Sequence, residues 1–271
     1  MQIKLGFSPC PNDTFIFDAI VNKRIDLEGL EFEIILADVE KLNQMAFQNT
    51  LDITKLSYHA LALLMPDYQL LHAGSALGNN CGPLLISSEE VDMEQISNLK
   101  IGIPGKFTTA NFLLHFAFPN VTNTKEYLFS EIEETLLKKE IDLGLIIHEN
   151  RFTYKSKGLK KIIDLGEYWE NQTGLPIPLG GIGIKRGFSQ EIKNKVDRLI
   201  KKSIQFAFKH PSLSLPYIKL NAQEMDDEIV RKHIHLYVNE YSEDIGEKGK
   251  EAVIYLFNKM NNPTTKLNIW V

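Results

Sequence analysis

The sequence predicts an α/β fold of two lobes, and three observations carry that reading. Short apolar runs suited to strands alternate with helical segments, the pattern of α/β architecture. A strand–turn–helix pattern starts at Ile3 and restarts at Lys100. From Ser189 onward the chain reads mostly as helix, too amphipathic to stand alone. The 271 residues, 44% of them hydrophobic, suffice to bury a substantial core.

Taken in order, residues 3–7 read as a strand. Ser8-Pro9-Cys10-Pro11-Asn12-Asp13 reads as a turn, because two prolines and Asn-Asp interrupt regular structure. Residues 14–22 follow as a helix with Asn12 or Asp13 as its cap. Residues 31–37 form a strand, 39–47 a helix, 51–55 a short strand and 57–65 an apolar helix. Strands are expected at 82–87, 100–103, 143–147 and 161–164, with helices at 109–118 and 130–139. Residues 179–184 are Gly-rich and extended, and helices are expected at 190–208, 226–238 and 247–260. The economical architecture has a first lobe of residues 1–87 plus 181–271 and an inserted second lobe of residues 88–180. Gly180, Gly181 and Gly183 suit a hinge or a close backbone approach on the return strand. Such an arrangement places a ligand cleft between the lobes, outside the carboxyl ends of strands.

Composition narrows the function. Lys plus Arg number 30 and Asp plus Glu 35, a net charge of −5, which argues against a broad basic footprint for nucleic acid. Two cysteines, Cys10 and Cys81, provide neither a disulfide framework nor a zinc cluster. The opening MQIKLGFSPCPNDTF has no apolar region of secretory type, and no run approaches the roughly 18 apolar residues of a membrane span. The expectation is a cytoplasmic protein without a membrane span. The Gly105-Lys106 pair lacks the spacing and the Ser or Thr of a phosphate loop, and Gly181-Ile-Gly183 lacks the third glycine of a dinucleotide fingerprint. His233 and His235 do not share a helix face, so one packed and one exposed histidine are expected there instead of a metal site.

Four places suit chemistry. The turn from Ser8 to Thr14 opens a helix, where free backbone N–H groups favour a carboxylate; Ser8, Asn12 and Asp13 are either ligand contacts or structural. Lys55-Leu56-Ser57 joins a strand to a helix, with Ser57 a cap or a cleft hydroxyl and Lys55 an anion partner or a surface lysine. Thr108-Thr109-Ala110 repeats the first motif in the inserted lobe, again balanced against a plain Thr cap. His148 stands at the carboxyl end of the apolar run 143–147, a general base or a structural histidine. Glu149 reads as a solvated or structural carboxylate, and Arg151 as substrate-binding or structural.

These same segments carry a family resemblance. SPCPNDTFIF from Ser8, TKLSY from Thr54, Thr108-Thr109-Ala110, GLIIHE from Gly144, RFTY from Arg151, TGLP from Thr173 and Tyr237-Val238-Asn239 resemble the 1,4-dihydroxy-6-naphthoate synthases of the futalosine route to menaquinone. The resemblance runs from residue 3 to about residue 260. It implies a type II periplasmic-binding-protein-like fold and a cofactor-free lyase acting on cyclic dehypoxanthine futalosine, a small carboxylate. It implies His148 as proton acceptor and Lys55, Leu56, Ser57, Thr109 and Ala110 as substrate contacts. Asn150 stands where the family usually has glycine. No metal and no cofactor are expected, and the oligomeric state is open. Two other readings share the fold. A non-catalytic solute-binding protein calls for a secretion signal or a lipid-anchoring cysteine, which this N-terminus does not show. The chorismate dehydratase of the same pathway does not share the GLIIHE segment or the SPCPNDTF turn.

Overall fold

The computed structural model describes residues 2–222, 226–260 and 268–271. The chain opens with β1 (Gln2–Phe7), α1 (Pro11–Val21), β2 (Glu31–Leu36), α2 (Val39–Phe47), β3 (Ile53–Ser57), α3 (Tyr58–Leu64), β4 (Tyr68–Leu70) and β5 (Ala76–Gly78). It continues with β6 (Leu84–Ser87), β7 (Ile101–Ile103), α4 (Thr109–Ala117), β8 (Thr124–Glu126), α5 (Ile132–Leu137), β9 (Leu143–Ile146), α6 (Asn150–Thr153), β10 (Lys160–Asp164) and α7 (Leu165–Thr173). It ends with β11 (Ile177–Lys185), α8 (Gln190–Lys209), α9 (Pro211–Asn221), α10 (Asp227–Tyr237), α11 (Glu240–Glu243) and α12 (Gly246–Lys259). Two compact units result, Met1–Gly78 with Pro178–Val271, and Asn79–Ile177.

The first unit is built on a sheet of order β2-β1-β3-β11-β4, with β5 also pairing β11. β1 runs parallel to β2 and β3, while β11 is antiparallel to β3 and β4. α1 begins at Pro11, not after Asp13 as the sequence suggests. Proline is suited to the first helical position, where its fixed φ is already helical and an N–H is not needed. Cys10 is the N-cap, and its carbonyl accepts from the Asp13 and Thr14 amides at 3.1 and 3.0 Å, so neither Asn12 nor Asp13 is the cap. α1 is buried from Pro11 to Ile20 because α8, α9 and α10 all pack on it. Phe7 stacks on Phe17 with centroids 4.4 Å apart. α9 escapes sequence reading because it is only weakly amphipathic and carries Pro216 inside it.

The second unit holds a sheet of order β10-β6-β9-β7-β8. β7 is parallel to β8 and β9, and β6 is antiparallel to β9 and β10. The pairing of Leu84 with Ile146 and Asp164 places β6 here, whereas the sequence-based boundaries leave residues 79–87 in the first lobe. The division falls at residues 78/79 and 177/178 instead of 87/88 and 180/181. Leu84 and Ile86 pack with Ile132, Leu136, Ile141 and Ile146 in one core.

Gly82 and Gly166 make a close backbone approach in this unit. A Cβ on Gly82 meets the Gly166 Cα at 2.3 Å, and backbone cannot swing aside as a side chain can. Gly82→Ala is expected to destabilise the protein by about 2 kcal/mol in urea denaturation. Gly187→Ala, which meets nothing within 4 Å, is the control. Equal midpoints for the two variants would contradict the packing described.

Candidate active site

The register of the first sheet assembles one half of the site. β1 and β3 are parallel neighbours, with Leu5 opposite Ile53 and Gly6 opposite Thr54, so their carboxyl ends deliver residues 8–13 and 55–57 to the same edge. At that edge the buried Asp13 carboxylate gathers four donors. Its Oδ2 accepts from the Ser8 amide at 3.1 Å and the Ser8 hydroxyl at 2.7 Å. Its Oδ1 accepts from Asn12 Nδ2 at 2.9 Å and lies 3.5 Å from Lys55 Nζ. Lys55 also donates to the Gly74 carbonyl at 2.6 Å. The surface-lysine reading is thereby corrected: Lys55 is 5% exposed, because its strand lies inside the sheet. Burial pushes the Lys55 ammonium below its ordinary pKa, and Asp13 acts in the opposite direction.

Ser57 is the N-cap of α3, accepting from the Ala60 amide at 3.1 Å. Asn43 on α2 grips it from both sides, accepting from the Ser57 amide at 3.2 Å and donating to its hydroxyl at 3.3 Å. Leu56 is fully buried, so its side chain belongs to the core. Ser75, beside Gly74, bonds the Tyr58 hydroxyl at 2.7 Å, and its carbonyl accepts from Ser242 at 2.7 Å.

The second unit repeats the construction. β7 and β9 are parallel neighbours, with Ile101 opposite Leu143, and their carboxyl ends lead into residues 104–109 and 147–149. Thr108 caps α4, accepting from the Asn111 amide at 3.2 Å and donating to the Gly105 carbonyl at 2.8 Å. Gly105 has φ 144°, a backbone conformation that favours glycine. Thr109 and Ala110 are buried in the first turn of α4.

His148 follows β9 in the left-handed conformation, φ 57°, which bends the chain from the strand into α6. Such a residue carries backbone strain of order 1–3 kcal/mol and persists only where its surroundings hold it. Here they do. The Phe129 ring meets the half-buried imidazole edge-to-face at 5.0 Å. Arg151 donates to the Gly82 carbonyl at 2.5 Å and to Asp164 at 2.6 Å, and Asp164 caps α7. Asn150, buried, donates to Glu133 at 2.6 Å, and Glu133 also pairs with Lys157 at 2.6 Å. Asn150 thus turns inward. Glu149 is buried, so of its two readings the structural one stands.

The structure therefore brings Ser8, Asn12, Asp13, Lys55 and Ser57 to one sheet edge, and Thr108, Thr109, Ala110 and His148 to another, with Arg151 bracing the His148 turn. Sequence reading does not single out Asn43, Gly74 or Asp164, which carry no motif, and for His233 and His235 its reading of one packed and one exposed histidine agrees with the structure. His233 is buried and bonds Asn12 at 2.9 Å, while His235 is exposed. Among the described residues no group of three or more His, Cys, Asp or Glu is placed to hold a metal ion. Both cysteines are buried and neither forms a disulfide, and burial pushes the Cys81 thiol up to about 12. No helix of the described residues is long and apolar enough to cross a membrane.

Comparison with known proteins decides the family. The model of a family described as menaquinone biosynthesis matches residues 3–262. The chain belongs to the menaquinone-biosynthesis family. It is 41% identical to a 1,4-dihydroxy-6-naphthoate synthase of Thermus thermophilus over 94% of this chain and 92% of that one. A synthase of the same name from Streptomyces coelicolor is 38% identical over 93% and 90%. This member of the menaquinone-biosynthesis family is accordingly an enzyme. A solved structure from Archaeoglobus fulgidus matches with TM-score 0.91 at 33% identity, covering 96% of this chain and 97% of that one. A Candida albicans protein described as having the generic periplasmic binding protein structural fold matches with TM-score 0.67 at 15% identity, over 100% and 98%. The fold is that of the periplasmic binding proteins, as the resemblance implied.

Breaking the buried pair tests the site's construction. Lys55→Met leaves the Asp13 carboxylate without its cation, and loss of one partner of a buried pair costs about 3–5 kcal/mol. A large fall in the urea midpoint is expected; an unchanged midpoint would show that Asp13 does not depend on Lys55.

Proposed function

We propose that this enzyme converts cyclic dehypoxanthine futalosine to 1,4-dihydroxy-6-naphthoate without a cofactor, with His148 as the proton acceptor. The observation that carries the reaction is the near-full-length identity to two synthases of that name. The assignment of the base is supported by geometry. His148 stands half-buried at the carboxyl end of β9, the parallel neighbour of the strand that leads into α4, on a turn braced from both sides.

The chemistry asks for little else. Aromatisation of the substrate's cyclic ketone requires removal of a proton from carbon next to a carbonyl, and imidazole is suited to accept it near neutral pH. An anionic substrate held by a chain of net charge −5 needs local donors. The α4 N-terminus with Thr109 and Ala110 supplies one set, and the Ser8, Lys55 and Ser57 edge supplies another. Leu56, whose side chain is buried, contributes to this proposal through its backbone. Thr108 and Arg151 act as structural supports, since their polar groups cap α4 and bind Asp164.

His148→Asn is the direct test, because asparagine tolerates the left-handed backbone that position 148 requires. The purified variant is expected to keep its thermal midpoint and to form naphthoate at least about a hundredfold more slowly than wild type, followed by mass spectrometry from the cyclic futalosine. Near-wild-type turnover would remove His148 from the base role. Absence of naphthoate from the wild-type protein would overturn the reaction.

A further inference from the structure

His233 belongs to no motif that the family resemblance uses. It lies on α10 among the buried residues Val230, Ile234 and Tyr237, where an apolar side chain would satisfy packing alone. A fully buried imidazole is costlier to desolvate than leucine, so its polar contact needs an account. That contact is Nε2 to Asn12 Oδ1 at 2.9 Å.

The identities of the atoms follow from the next link. Asn12 Nδ2 faces Asp13 Oδ1 at 2.9 Å, and a carboxylate paired with lysine only accepts. The Asn12 atom turned to His233 is therefore the carbonyl oxygen, and His233 Nε2 carries a hydrogen. Donors run in one direction, from His233 to Asn12 to Asp13, where Ser8 and Lys55 converge. Were the Asn12 amide free to flip, it would present oxygen to the carboxylate and repel it.

We propose that His233 is a positioning residue for the ligand-holding turn at residues 8–13: its Nε2–H fixes the Asn12 amide, and through it the Asp13 carboxylate that orients Ser8 and Lys55. The inference rests on this edge being the substrate site of the proposed function. It gives α10 a task beyond covering α1.

Two variants separate positioning from packing. Leucine at 233 fills space without a donor, whereas glutamine returns an N–H near the place of Nε2. His233→Leu is expected to raise KM about tenfold with kcat within about twofold, and His233→Gln to restore KM. Losses that track thermal midpoint alike in both variants would overturn the proposal. A second readout needs no substrate: the titration of Lys55 Nζ followed by 15N NMR. With Asp13 loosened, its opposing effect on Lys55 weakens, so the midpoint falls in His233→Leu and returns in His233→Gln. Identical Lys55 titrations in wild type and both variants overturn the positioning role whatever the kinetics. A shift that Gln rescues, in a protein that makes no naphthoate, leaves the role standing and the substrate assignment wrong. If His233→Leu does not fold, Asn12→Ala breaks the same link, and a Lys55 titration unchanged there overturns the proposal equally.

Discussion

A carboxylate taken out of water must be met by donors that do not move, and Asp13 is where this chain meets that demand. Desolvating a charged group costs several kcal/mol even after relaxation, and only good geometry offsets it. The offset comes from Ser8, Asn12 and Lys55, residues delivered by the end of β1, the first turn of α1 and the body of β3. Neither strand end can shift without stranding the charge. The Gly74 carbonyl, which shares Lys55, draws in the segment after β4, and Ser75 fixes that segment to Tyr58 and Ser242. The sheet edge that presents Ser57 is thus held by polar contacts in addition to its apolar core.

The second unit applies the same principle on a smaller scale. Asp164 and Glu133, both buried, each hold one side of the turn that carries His148, through Arg151 and Asn150. That bracing is the physical counterpart of the left-handed backbone at His148: a strained residue stays put where its neighbours are over-determined. In both units the carboxyl ends of adjacent parallel strands carry hydroxyl-capped helix starts, Ser57 with α3 and Thr108 with α4. Belonging to the menaquinone-biosynthesis family gives this repeated arrangement its context, an enzyme on a periplasmic-binding-protein fold.

Much of this was legible in the sequence, and the exceptions share a cause. Period and punctuation place β1, β2, α2, α3, β9 and α8 well, because each is bounded by turn residues or a capping Ser or Asp, whereas β3 lies two residues later than expected. Pro11 misled by two contrary roles: it breaks a helix interior yet opens a helix, and here it opens α1. The boundary at residue 78 was missed because a strand's identity does not say which sheet it joins; β6 was legible as a strand but not as a partner of β9 and β10. His148, Ser57 and Thr108 were visible as residue types at strand ends. Lys55 was visible as a residue but not as a buried one, since its partner lies 42 positions away in Asp13. His233, 221 positions from Asn12, had no local signal beyond a polar side chain on an apolar helix face.

The central claim is that the Asp13–Lys55 pair organises the first unit's site, and a double-mutant cycle on stability measures it directly. Asp13→Asn keeps the shape but turns an N–H toward donors, and Lys55→Met removes the cation. Together they remove both charges, so the double variant is expected to be less destabilised than the sum of the single variants by about 2 kcal/mol or more in urea denaturation. Additive losses, with coupling below about 0.5 kcal/mol, would contradict the account.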